Sequence, residues 1–194
     1  VVANTALAMA QAGKRVLLID CDLRRPTQHH LFGTEQEIGI TDVLLNEIEW
    51  RNALRSTPVE SLSLMTAGLC PENPAELLSV APLQNILSEM REEYDLIILD
   101  SPPVLAVSDP TILSPHVDGV VSVARIMKNK RASVTRMTET LGVHGARVFG
   151  MIANSVGEQE AANAGYGGET YGSYFTENET AKRTTTHSNA PVMS

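Results

Sequence analysis

Four short aliphatic runs, at residues 16–19, 96–99, 120–123 and 148–152, constrain the fold more than any other feature of this chain. They do not alternate regularly with polar residues, so they read as strands buried on both faces. Residues 62–65 form a weaker fifth candidate. Helical patterns lie between them: 1–12, stopped by Gly13; 74–93; and 130–141, stopped by Gly142. Strand and helix alternating through short joints predicts an α/β fold with a doubly wound, mostly parallel sheet flanked by helices.

The core of such a sheet must come from aliphatic residues and Met. Four of the eight aromatics (three Phe, one Trp, four Tyr) lie beyond residue 154, namely Tyr166, Tyr171, Tyr174 and Phe175. Residues 155–194 hold no Leu or Ile and are rich in Gly, Thr, Ser, Asn and Glu, too little apolar surface to offset the entropy of ordering. The chain therefore divides into a folded domain, 1–156, and a flexible tyrosine-containing tail, 157–194. At 194 residues it is long enough for one substantial core. No apolar run approaches the roughly 18–20 residues needed to cross a bilayer. Residues 1–12 lack the basic flank of a signal peptide. Two cysteines make no disulfide framework, and a net charge of -8 argues against a nucleic-acid partner, which together predict a cytoplasmic-type protein. The chain opens on Val1 inside a helical pattern with no cap, so its natural start is expected upstream.

Ligands of parallel α/β sheets bind outside the carboxyl ends of the strands, and three acids fall there. Asp20 ends the first run, Asp22 follows two residues later, and Asp100 ends the run 96–99. If the two strands are neighbours, the acids converge and repel one another unless a cation neutralises them. Mg²⁺, held directly or through its waters, is the natural occupant. A hydrophobic run ending in Asp is also ordinary in such folds, and Asp100 alone leaves both readings open. Mg²⁺ at strand ends commonly serves a phosphate ligand. The chain contains no glycine-rich phosphate loop, although residues 1–12 have the place of the helix that such a loop opens.

The blocks ALAMAQAGKRVLLIDCDLRRP (6–26), ENPAELL (72–78), YDLIILDSPPVLAVSD (94–109), VDGVV (117–121) and GARVFGMIANSV (145–156) occur in collinear order. Together they resemble the bacterial tyrosine kinases of capsule and exopolysaccharide assembly, relatives of the deviant-Walker ATPases. The resemblance implies a P-loop NTPase-type fold whose first strand and phosphate loop precede residue 1, with ATP and Mg²⁺ as cofactors. It assigns Asp22 to accepting the tyrosine proton, Asp20 to holding the Mg²⁺ water shell with it, and Asp100 to the Walker B acid. Asn154 matches an adenine-edge contact; an Asn satisfying local backbone at a strand end is the alternative. Tyr166, Tyr171 and Tyr174 match the family's phosphoacceptor cluster, modified by a neighbouring subunit of a ring-like homo-oligomer. A membrane-embedded chain-length-determinant protein as activator, a place at the inner face of the cell membrane, and control of polysaccharide export complete the expectation.

Two other functions fit the same acids: an ATPase switch of the Min or partition type that binds membrane or DNA, and a silent interaction module. The basic residues Arg125, Lys128, Lys130, Arg131 and Arg136 favour the first of these or read as a solvated helix face. Arg24 and Arg25 read as solvated loop residues. No His spacing suggests zinc, and Cys21, between two acids, is a poor nucleophile.

Overall fold

The computed structural model describes residues 1–80, 82–125 and 131–155. The chain divides into two compact units, one of residues 1–124 and 129–152, the other of residues 125–128 and 153–194. The tail tyrosines Tyr166, Tyr171 and Tyr174, and the basic residues Lys128 and Lys130, lie outside the described residues.

Helix α1 (Val2–Gln11) leads into β1 (Val16–Asp20), and two single-turn helices follow, α2 (Gln28–Phe32) and α3 (Ile40–Leu44). A 3₁₀ turn at Trp50–Ala53 enters the hairpin of β2 (Leu54–Ser56) and β3 (Leu62–Met65). Then come α4 (Pro74–Val80), α5 (Leu83–Glu93), β4 (Leu96–Asp100) and α6 (Asp109–Leu113). The described elements end with β5 (Val120–Arg125), α7 (Arg131–Val143) and β6 (Val148–Asn154).

Four strands form one sheet in the order β2-β3-β1-β4, with β1 parallel to both β3 and β4 and only the short β2 antiparallel. Non-consecutive neighbours joined through helices are what right-handed crossovers require. β1 is buried at every position. Its Leu17 and Ile19 enter a core with Leu78, Leu83, Leu87, Met90 and Leu113, while Val16 and Leu18 pack with Ala3, Ala6 and Ala10 of α1. The small residues of α1 let that helix lie close on the sheet. The parallel sheet with helices on its faces is the architecture expected from the sequence.

Several local expectations need correction. The pattern 74–93 is two helices, because Pro82 has no N–H to donate to a preceding turn and instead caps α5. α7 runs past Gly142 to Val143, and the left-handed turn comes at Gly145 (φ 73°), a conformation Gly adopts without steric cost. β5 and β6 pair with each other in a separate two-stranded sheet. β5 buries only Ser122 and Ala124, and β6 exposes Phe149 and Met151, so neither is buried on both faces. The core is also not purely aliphatic: Trp50 is buried within it, with Tyr94 packed alongside.

One close approach fixes the α3 end of the sheet. Ile40 and Thr41 donate their N–H groups to Thr66 and Ala67 beyond β3, which draws Gly39 so near that a Cβ there would stand 2.2 Å from Gly68 N and from Thr66 O. Gly39→Ala is expected to cost about 1–3 kcal/mol, measurable as a lower urea midpoint at unchanged m-value.

At the opposite end of the sheet, Arg15 donates from its backbone N–H (2.9 Å) and its guanidinium (2.8 Å) to Asp95, whose own N–H bonds back to the Arg15 carbonyl. The guanidinium hydrogen bond, helped by the backbone one, holds the Asp95 carboxyl at a pKa of about 2, below the ordinary carboxylate value. A carboxyl depressed in the folded state stabilises the fold above the unfolded pKa and ceases to do so as the pH falls through the folded one. The contribution of this exposed pair is thus expected to vanish between about pH 4 and pH 2. Carboxyl-detected NMR titration should find Asp95 among the last acids to protonate, and Arg15→Gln should return it toward the ordinary range.

Candidate functional site

Parallel pairing of β1 with β4 sets Asp20 directly opposite Asp100, and the Cys21 N–H continues the ladder by donating to the Asp100 carbonyl at 2.8 Å. Both acids therefore leave the sheet at its carboxyl edge. Asp20 is fully buried. Its Oδ2 accepts the N–H groups of Thr27 and Gln28, both at 3.0 Å, and its Oδ1 accepts that of Asp22 at 3.2 Å. These bonds fold residues 21–28 into a loop wrapped around one carboxylate. Half-buried Asp22 in turn accepts the Arg25 N–H at 3.0 Å through Oδ1. Among the described residues its Oδ2 accepts no hydrogen bond.

Burial raises the pKa of the Asp20 carboxyl, opposed by the three N–H donors and reinforced by the charge of Asp22. The Asp100 carboxyl is raised for the same first reason; the Gln28 side-chain amide opposes the shift, and the charges of Asp20 and Asp22 add to it. The three acids singled out in the sequence thus share one electrostatic neighbourhood at the carboxyl edge of the sheet. Buried oxygen donors whose burial disfavours their charged forms are what a hard cation neutralises. Among the described residues, however, no three His, Cys, Asp or Glu side chains are grouped as a direct metal-ligand set. The donor set suits a cation that keeps its water shell, as Mg²⁺ does.

Gln28 went unnoticed in the sequence. It is 3% exposed, and it touches both strand-end acids: its backbone N–H bonds Asp20, and its side-chain amide donates to Asp100 Oδ2. Its own Oε1 is buried without a partner. No spacing rule signals this, because the contact depends on the loop doubling back over Asp20.

Arg24 is not simply solvated. Its Nε lies 3.1 and 3.2 Å from the two oxygens of Asp109, which sits in the first turn of α6 and is 1% exposed. Arg24 also lines a cavity of about 300 Å³ with Glu72, Asn73, Pro74, Ala75 and Glu76, so residues from two of the quoted sequence blocks meet there. Cys21 is buried, and burial followed by the charges of Asp20 and Asp100 drives its thiol pKa far up. It is inert as a nucleophile. Asn154 closes β6 and is assigned to the second of the two compact units, whereas Asp20, Asp22 and Asp100 are assigned to the first. No described helix is long and apolar enough to cross a membrane.

The chain is similar to known proteins in sequence and in fold. The family described as AAA domain matches residues 1–141. Tyrosine-protein kinase YwqD of Bacillus subtilis is 38% identical over 166 residues, which is 86% of this chain and 70% of the relative. The putative tyrosine-protein kinase CapB of Staphylococcus aureus is 34% identical, over 79% of this chain and 68% of its own length. Among solved structures, the kinase domain of VpsO superposes with a TM-score of 0.76 at 34% identity, covering 80% of this chain and 77% of that one.

Proposed function

The chain belongs to the bacterial tyrosine-protein kinases, and from that premise we propose that it moves the γ-phosphoryl group of ATP to tyrosine hydroxyls in an Mg²⁺-dependent reaction. Its own Tyr166, Tyr171 and Tyr174 are the acceptors. The observation that carries this reading is the convergence of Asp20, Asp22 and Asp100 at one edge of adjacent parallel strands. Bound Mg²⁺·ATP supplies the transferable phosphoryl group and offsets its charge.

The residues divide the remaining work. Asp20 and Asp100 hold the metal through its water shell, Asp20 fixed in orientation by its three N–H donors. A tyrosine hydroxyl, with an ordinary pKa near 10, is barely ionised at neutral pH, so a base must take its proton as transfer proceeds. Asp22 has the means: the Arg25 N–H anchors one oxygen, and the other is left to accept the proton. Asn154, offering both a donor and an acceptor, pairs with the adenine edge.

The acceptor tail lies on a neighbouring subunit of a ring-like homo-oligomer, where glycines flanking the tyrosines let the backbone enter another active site. A membrane protein of the chain-length-determinant type acts as activator at the inner face of the membrane, and control of capsule or exopolysaccharide export is the output. What supports this context is the resemblance in sequence, with the putative tyrosine-protein kinase CapB among the relatives.

Intact-mass and peptide analysis of the full-length protein, after incubation with Mg²⁺ and ATP, tests the reading. Phosphate is expected on the peptides holding Tyr166, Tyr171 and Tyr174. ATP hydrolysis with an unmodified tail would instead point to the Min-type switch, and neither activity to an interaction module.

A further inference from the structure

Gln28 contacts both acids at the strand ends, one through its backbone N–H and the other through its side-chain amide. Its N–H is committed to Asp20 Oδ2 at 3.0 Å. Its side-chain amide faces Asp100 Oδ2, and because an ionised carboxylate can only accept, the atom facing it is the NH₂ group. That orientation leaves Oε1 as the outward acceptor, and Oε1 is buried with no partner among the described residues. A buried amide oxygen left unpaired costs on the order of 1–3 kcal/mol. Nothing in the packing requires an amide here, since Leu or Met would fill the same volume. The residue is also 3% exposed, so bulk water does not satisfy it.

Resting on the kinase reading above, we infer that Gln28 is a positioning residue of the phosphoryl-transfer site. One arm holds the Asp100 carboxylate in the orientation it needs toward the cation, and the other accepts a hydrogen bond from the cation's water shell. Outer partners of this kind fix the direction in which a carboxylate presents its lone pairs, and their loss commonly weakens metal binding 10–100-fold. The same residue clamps Asp20 through its backbone. A side-chain substitution therefore removes the Asp100 arm and the free acceptor while leaving the Asp20 clamp in place.

The test uses the full-length protein and Mn²⁺ as probe, with free Mn²⁺ counted by electron paramagnetic resonance in the presence of ADP, so that no turnover is needed. Gln28→Met is close to isosteric and is expected to weaken Mn²⁺ binding 10–100-fold. The half-saturating Mg²⁺ concentration for phosphorylation of a tyrosine peptide should rise in parallel, with the KM for the peptide changed less than about twofold. Gln28→Asn, one methylene shorter, withdraws the amide from Asp100 and should shift binding in the same direction, so the result does not hang on one variant folding. Wild-type Mn²⁺ affinity in either folded variant would overturn the inference and leave the kinase reading intact. A wild-type protein that binds no Mn²⁺·ADP would overturn both.

Discussion

Asp22→Asn is expected to lower tyrosine phosphorylation by roughly 10²–10⁴-fold, the usual worth of a positioned general base. The substitution is chosen because the loop can survive it. Asp22 accepts the Arg25 N–H through a single oxygen, and the Asn carbonyl can accept the same bond, so residues 21–28 keep their path around Asp20. What Asn cannot do is take a proton from a hydroxyl. Nucleotide affinity should therefore stay within a few-fold while the transfer step collapses, a loss confined to the transition state. Initial rates of phosphate transfer to a tyrosine peptide, with ADP affinity measured alongside, check this. A loss below about threefold would remove Asp22 from the chemistry.

The second large effect is on stability. Leu18 lies in the middle of β1, fully buried between the sheet and the Ala3, Ala6 and Ala10 stripe of α1. The helix packs there through its smallest side chains, so little nearby can move in to fill a void. Leu18→Ala is expected to cost about 3–5 kcal/mol, toward the upper part of the range for such truncations. For a domain of this size that corresponds to a fall in Tm on the order of 10 °C. Leu31→Ala, at a position 67% exposed, should change stability by less than about 0.5 kcal/mol. Urea unfolding of the two variants side by side separates cavity formation from any general effect of losing a leucine.

β1 could be read from the sequence because a parallel strand between two helical layers has no face on which to place a polar residue. β4 was legible as an aliphatic run although it is only half-buried at every position, and the weaker candidate β3 keeps Ser63 half-buried among buried neighbours. The same reasoning failed for β5 and β6. An aliphatic run records what a strand can bury, and the exposed Phe149 and Met151 show that this differs from what the neighbouring layers cover. Asp20, Asp22 and Asp100 were legible for a related reason: a strand's last residue leaves at the sheet edge whatever the loop then does. Their partners were not. Gln28 reaches Asp100 across 72 residues of sequence and Arg24 reaches Asp109 across 85, by way of loops whose course is set by hydrogen bonds to Asp20. Such contacts belong to the tertiary path and leave no periodicity behind. Pro82, by contrast, was visible and underweighted, since its missing N–H is a local fact that ends a helical pattern however good the flanking residues are.

Because Asp20 and Asp100 face each other across one rung of the β1–β4 ladder, with the Cys21 N–H closing the next, the backbone acts as a ruler for the site. The two anchor points are spaced by the interstrand repeat of about 4.8 Å, a length that no loop or crossover helix can alter. Insertions into the 75 residues that separate β1 from β4 can therefore lengthen or shorten the route without detuning the gap between the acids. A slip of a single residue in strand pairing would do the opposite, turning one carboxylate to the far face of the sheet. The chemistry is buffered against variation in everything except the alignment of two strands, one of which, β1, is buried at every position.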